Sequence, residues 1–167
     1  MVRVSTISFF LLLFEAGPLR SQTLQYLGLG QEATGSIAAD RTNTNIIYVG
    51  SVWNLDSTYM TPGGVFKTTN GGTTWDTLLR GFTVLDLDLS PTNPQTIYAT
   101  LGTSGIKKSL DGGETWAAID SDIAKRSING QRLRVLAIDP IHPDTLYLGA
   151  SGPLGAYSYK STDQGKN

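Results

Sequence analysis

The chain has 167 residues and a net charge of −1, with 16% charged residues, so it has no basic field to hold nucleic acid or another polyanion by bulk charge. It contains no cysteine, which excludes disulfides, thiolate metal sites, a cysteine nucleophile and a lipoprotein anchor. The 19 glycines and 7 prolines cluster at turns, the composition of a β-rich chain stabilised by a repeated core rather than by covalent staples.

Taken in chain order, the first element is a leader. Arg3 precedes an apolar run from Ile7 to Phe14, closed by Glu15-Ala16-Gly17-Pro18. The run is too short to span a bilayer. It reads as a secretory signal peptide over residues 1–21, with cleavage between Ala16 and Gln22, in preference to an uncleaved anchor or a start codon placed too far upstream. The expected location of residues 22–167 is therefore secreted or extracytoplasmic. Thr23 to Gly28 reads as a strand with no sheet of its own.

A first group of strands is predicted at Ser36 to Asp40, Asn45 to Val52, Gly64 to Thr69 and Thr73 to Leu79. A second begins where Leu85, Leu87 and Leu89 alternate with Asp86, Asp88 and Ser90, the period of two of a strand with one buried face. Pro91-Thr92-Asn93-Pro94 ends that strand, because proline fixes the backbone and lacks a donor. Further strands follow at Thr96 to Ala99, Gly105 to Ser109 and Glu114 to Ile119. A third group gives Leu133 to Asp139, Thr145 to Ala150 and Ala156 to Ser161.

Two repeats run through these groups in step. The turn-and-strand unit starting at Ser90 returns at Asp139 and, more loosely, at Asp40, in steps of 50 and 49 residues. Thr68-Thr69-Asn70-Gly71-Gly72-Thr73-Thr74-Trp75 returns as Ser109-Leu110-Asp111-Gly112-Gly113-Glu114-Thr115-Trp116 and begins again at Ser161-Thr162-Asp163-Gln164-Gly165. Its steps are 41 and 52 residues, so length varies inside each unit. Four strands returning at about 50 residues mark a blade near the upper end of propeller periods.

The second repeat resembles the Asp-box, or bacterial neuraminidase repeat, of β-propellers. With Asp139-Pro140-Ile141-His142-Pro143-Asp144-Thr145-Leu146-Tyr147 before a box, the chain is most similar in pattern to sortilin-type and xyloglucanase-type propellers, over Ser36 to Asn167. The resemblance implies an all-β fold of four-stranded antiparallel blades at about 35–79, 84–119 and 133–167, the last incomplete. Two blades and three strands do not close a ring. The chain is accordingly expected to be the start of a larger protein and to self-associate when expressed alone.

The box residues are expected to be structural. A carboxylate or amide at Asp111, Asn70 or Asp163 accepts from backbone N–H groups of its own turn, beside Thr68, Ser109, Ser161, Thr74 and Thr115. Gly72, Gly113 and Gly165 permit backbone angles closed to other residues. Trp75 and Trp116 are expected to fold back onto their hairpins and be largely buried. An EF-hand-like calcium site needs several oxygen ligands at alternate positions, and each turn offers one carboxylate. No metal or cofactor is expected. Phosphate binding needs a glycine loop that opens a helix, whereas these join strands. His142, the only histidine, takes the place of Asn43 and Asn93 in the sister turns and reads as a turn residue.

In antiparallel blades the proline turns and Asp-boxes share one face, and the remaining loops share the other. The resemblance places a ligand on that second face. Two of its loops are long and chemically rich: one carries Trp53, Asp56 and Tyr59, the other Asp120, Asp122 and Arg126. Aromatics beside acids stack sugars and support glycoside chemistry, in which two carboxyls about 5–10 Å apart act together; the plainer alternative is that they cover an edge and solvate a loop. The sialidase Arg-Ile-Pro motif is absent, and so is the xyloglucanase Asp-Ile-Gly-Gly segment after Tyr48-Val49. The expected function is a non-catalytic propeller binding protein or glycan. The alternative is part of a xyloglucanase-like or sialidase-like glycoside hydrolase whose remaining catalytic residues lie in C-terminal sequence beyond Asn167.

Overall fold

The computed structural model describes Leu27 and residues 33–53, 62–119, 132–153 and 155–166. The leader over 1–21 lies outside these residues, as does the expected strand at Thr23 to Gly28 apart from Leu27. Among the described residues every regular element is a strand: β1 (Ala33–Ala39), β2 (Ile47–Val52), β3 (Gly64–Thr68), β4 (Asp76–Arg80), β5 (Asp86–Leu89), β6 (Ile97–Thr100), β7 (Ile106–Ser109), β8 (Ala117–Ala118), β9 (Arg132–Ile138), β10 (Leu146–Gly152) and β11 (Gly155–Ser161). They form three antiparallel sheets in sequence order, two of four strands (β1 to β4 and β5 to β8) and one of three (β9 to β11).

Turn chemistry sets the boundaries. Asp40 Oδ1 accepts from Thr42 N at 2.7 Å, and Asp139 Oδ1 accepts from Ile141 N and His142 N at 2.9 Å each. In all three first turns the next amide is then used locally: Ile46 N donates to Asn43 O, Thr96 N to Asn93 O and Thr145 N to His142 O. The second strands therefore begin one or two residues later than the pattern predicts, at Ile47, Ile97 and Leu146. At the other end β1 starts earlier than expected, at Ala33, and its ladder slips between Thr34 and Ser36. Gly35 sits in that bulge with Val84 O so close that a Cβ would run into the carbonyl.

The fourth strands are shorter than expected, starting at Asp76 and Ala117 rather than Thr73 and Glu114. The amides of Thr74 and Thr115 are spent on the side chains of Asn70 and Asp111, at 2.9 Å each, so the ladder cannot begin there.

The cores lie between adjacent sheets. Val84, Leu87, Leu89, Ile97, Ala99 and Leu101 meet Tyr48 and Val65 of the first sheet. Leu133, Leu136, Ile138, Leu146, Leu148 and Ala150 meet Tyr98, Ile106 and Ile119 of the second. Each buried aliphatic contributes about 1.5–3 kcal/mol.

The opposite face of β5 corrects the one-sided reading of its alternation. Asp86 Oδ2 accepts from Leu136 N at 2.8 Å and Asp88 Oδ2 from Ile138 N at 2.9 Å, so both carboxylates are covered by the third sheet and tie its edge strand down. Burial pushes the Asp88 carboxyl above its ordinary range.

A second tie crosses each joint. Tyr48 Oη and Lys67 Nζ each donate to Gly112 O at 3.3 Å, with Lys67 Nζ 5.5 Å from the Tyr48 ring centroid. One sheet on, Lys108 Nζ lies 5.0 Å from the Tyr98 ring and donates to Gln164 Oε1 at 2.6 Å.

Candidate functional site

The two ends of the sheets differ in what they leave available for chemistry. At one end stand the three glycine turns. Thr68, Ser109 and Ser161 are buried; each hydroxyl donates to the acidic or amide side chain two residues on, at 2.9, 2.7 and 2.7 Å. Each also accepts from the glycine four residues on, Gly72, Gly113 or Gly165, at 2.9, 2.8 and 2.9 Å.

Asp111 completes its turn by accepting from Thr115 N at 2.9 Å and from Thr115 Oγ1. The Thr115 side chain and amide, then Ser109, hold the Asp111 carboxyl down at about 2. A carboxylate so saturated by its own turn has little left for a substrate or ion. Asn70 and Asp163 are held alike, Asn70 by the Thr74 amide and hydroxyl and Asp163 by the Lys166 amide at 3.0 Å.

The tryptophans depart from expectation. Trp116 folds back, with Nε1 donating to Gly113 O at 2.8 Å. Trp75 Nε1 donates instead to Leu27 O at 2.7 Å. Both rings are half-buried rather than largely buried, although Trp116 also packs against the core between the first and second sheets.

The opposite end holds a cleft of about 310 Å³. Trp53, one residue past β2, stands at its rim and is exposed. The floor comes from Gly81 to Thr83 and Leu85, in the connection of β4 to β5, and from Leu101 to Ser104, which lead from β6 to β7. Arg132 and Arg134 of β9 form the other wall. The backbone makes this end rigid: Val84 N donates to Ser51 O at 3.0 Å and Leu133 N to Gly102 O at 3.1 Å. Arg134 Nε donates to Ser151 Oγ, and Lys107 Nζ lies 5.4 Å from the Phe82 ring centroid.

Of the candidate ligand residues, Trp53 is in the cleft. Asp56, Tyr59, Asp120, Asp122 and Arg126 lie outside the described residues. Among the described lining residues none is a carboxylate. The cleft offers an indole, a phenyl ring, two guanidiniums, hydroxyls of Thr83, Thr103 and Ser104, and backbone groups. Such a set can stack a ring and donate to its oxygens. Arg132, Arg134 and Phe82 escape a sequence reading because their value comes from the start of β9 meeting the connection between β4 and β5; the spacing Arg132-Leu133-Arg134 at the mouth of an apolar strand is the one local signal.

No protein-family profile matches the chain. Among characterised sequences it is similar to a probable oligoxyloglucan-reducing end-specific xyloglucanase of Neosartorya fischeri, 32% identical over 81 residues, which are 48% of this chain and 10% of that protein. Among solved structures it is similar to the GH74 xyloglucanase of Xanthomonas campestris, at TM-score 0.67 and 15% identity over 81% of this chain and 23% of that one. The GH74 enzyme of Niastella koreensis gives 0.64 and 24% over 81% and 22%. YCF48 bound to a D1 peptide gives 0.55 and 16% over 81% and 39%.

The chain has a propeller-type fold. At these identities the structural likeness carries the fold alone, and the chain spans a small part of each relative's length.

Proposed function

We propose that this chain is a segment of an extracytoplasmic propeller that binds glycan in the Trp53 cleft, with the glycine turns serving as Asp-boxes that close hairpins and touch no ligand. The observation that carries this reading is the contrast between the two ends. The turn carboxylates and amides are occupied by their own donors, whereas the cleft presents Trp53, Arg132 and Arg134 to solvent. An exposed indole on a rigid rim provides a stacking surface for a sugar face, and guanidinium and hydroxyl donors suit sugar oxygens. The similarity to a xyloglucanase sequence favours a β-glucan of the xyloglucan type as the ligand class.

A second reading, part of a glycoside hydrolase, draws on the same similarity. It needs two acids: Asp56, Asp120 and Asp122 are the candidates within this chain, and the remaining catalytic residues belong to sequence C-terminal to it. Calorimetric titration with xyloglucan oligosaccharides separates the two. The binding reading predicts saturable binding, no new reducing ends, and affinity lowered about tenfold or more by Trp53→Ala. Release of reducing ends that is abolished by Asp56→Asn or Asp120→Asn establishes the hydrolase instead. No binding by the unsubstituted chain refutes the proposal.

A further inference from the structure

Asn70 stands where the sister turns carry the carboxylates of Asp111 and Asp163, and Gly71 follows it. In an unfolded chain an asparagine before glycine is prone to deamidation, because glycine has no side chain to shield its amide nitrogen. That nitrogen loses its proton to solvent and attacks the asparagine Cγ; the Cγ–Nδ2 bond breaks and ammonia leaves. Water then opens the cyclic imide at one carbonyl or the other, giving aspartate or isoaspartate. The chain has two such pairs, Asn70-Gly71 and Asn129-Gly130.

The folded first turn occupies both reacting groups. Gly71 N, the nucleophile, donates to Asn45 O at 3.0 Å. Asn70 Oδ1 accepts from Thr68 Oγ1 and Thr74 N at 2.9 Å each, and Nδ2, the leaving group, donates to Thr74 Oγ1 at 2.8 Å. Asn70 is exposed, so water reaches it and the hydrogen bonds, not burial, hold the reaction back.

An aspartate fits the same turn. Asp111 Oδ1 accepts from Ser109 Oγ and Thr115 N, and its other oxygen accepts from Thr115 Oγ1. In the first turn the Thr74 hydroxyl has only to rotate from acceptor to donor. Isoaspartate instead adds a methylene to the backbone before Gly71, so the bonds from Gly71 N to Asn45 O and from Gly72 N to Thr68 Oγ1 lose their register.

We infer that Asn70 is a site of deamidation gated by the fold: the closed turn withholds the Gly71 nitrogen and the Asn70 carboxamide from each other, opening of the turn releases them, and the aspartate product closes the turn again in the pattern of Asp111.

Peptide mapping by mass spectrometry, with fragmentation that separates aspartate from isoaspartate, tests this on the whole chain held at mildly alkaline pH in buffer and in concentrated urea. In urea Asn70 and Asn129 are expected to convert at similar rates. In buffer Asn70 is expected to convert about tenfold or more slowly than in urea, because the turn must open first. Thr74→Ala removes the partner of Nδ2 at an exposed position and is expected to speed conversion several-fold in buffer and leave the rate in urea unchanged. Asn70→Asp is expected to melt at or above the temperature of the unsubstituted chain at neutral pH. Equal rates for Asn70 in buffer and urea overturn the inference, as does a Thr74→Ala chain no faster than the unsubstituted one, or an Asn70→Asp chain that melts well below it.

Discussion

Ser109 shows how one side chain specifies a turn. It is buried, it donates to Asp111 and it accepts from Gly113 N, so Ser109→Ala leaves a buried amide unpaired. The expected loss is about 1–3 kcal/mol, read by urea denaturation, with Ser109→Thr retaining most of the stability because Thr68 does the same work in the first sheet.

Asp111 adds a pH dependence whose sign is fixed by the direction of its shift. Its pKa in the fold, about 2, lies below the ordinary 3.8, and Asp40 and Asp139 are lowered as well by donors within their own turns. Stability from these groups is fully present above their unfolded values and is lost as pH falls from about 4 toward 2. The melting temperature should fall steeply across that window, and less steeply in Asp111→Asn. An unchanged slope in the variant would remove Asp111 from the account.

Among the elements, the fourth strand and its glycine turn are the most constrained. Gly113 has a φ of 96° and sits on Leu78, so Gly113→Ala meets both backbone strain and a clash. A loss of about 1 kcal/mol or more is expected, and trimming Leu78 to Ala in the same chain should relieve the steric part while leaving the strain. On β5, Asp88→Ala orphans Ile138 N and should cost about 1–3 kcal/mol. Asp88→Asn keeps an acceptor and discards a charge that burial disfavours, so it should be close to neutral in thermal melts.

These elements also show what the residues disclose by themselves. The alternation Leu87-Asp88-Leu89 and the turns around Pro91 and Pro140 are local signals, and the strands lie where they point. What local signals miss is second use. Asp86 and Asp88 look like a solvent face until the third sheet, fifty residues away, supplies N–H groups to them. Thr74 and Thr115 look like strand residues because their alternation is correct, but their amides are already taken by the turn.

At the scale of the whole molecule, the glycine turns occupy one end of the sheets and hold hairpins together, and the cleft to which glycan binding is proposed opens at the other. The repeat made the propeller-type fold legible, since the same turn and strand return with the same spacing. The cleft was legible only in Trp53, because Phe82 and the Arg132–Arg134 pair belong to two segments that no sequence pattern links to each other or to Trp53. Rigid sheets with loops at one end are a common support for binding, and the described cleft has the indole, the guanidiniums and the fixed backbone such binding needs.

The most direct test is an amide nitrogen–proton NMR titration of the chain with a xyloglucan oligosaccharide. The account predicts shifts confined to Trp53, Gly81 to Thr83, Gly102 to Ser104 and Arg132 to Arg134, with the turn amides of Gly72, Gly113 and Gly165 unmoved. Shifts centred on the glycine turns, or no shifts at saturating ligand, would contradict it.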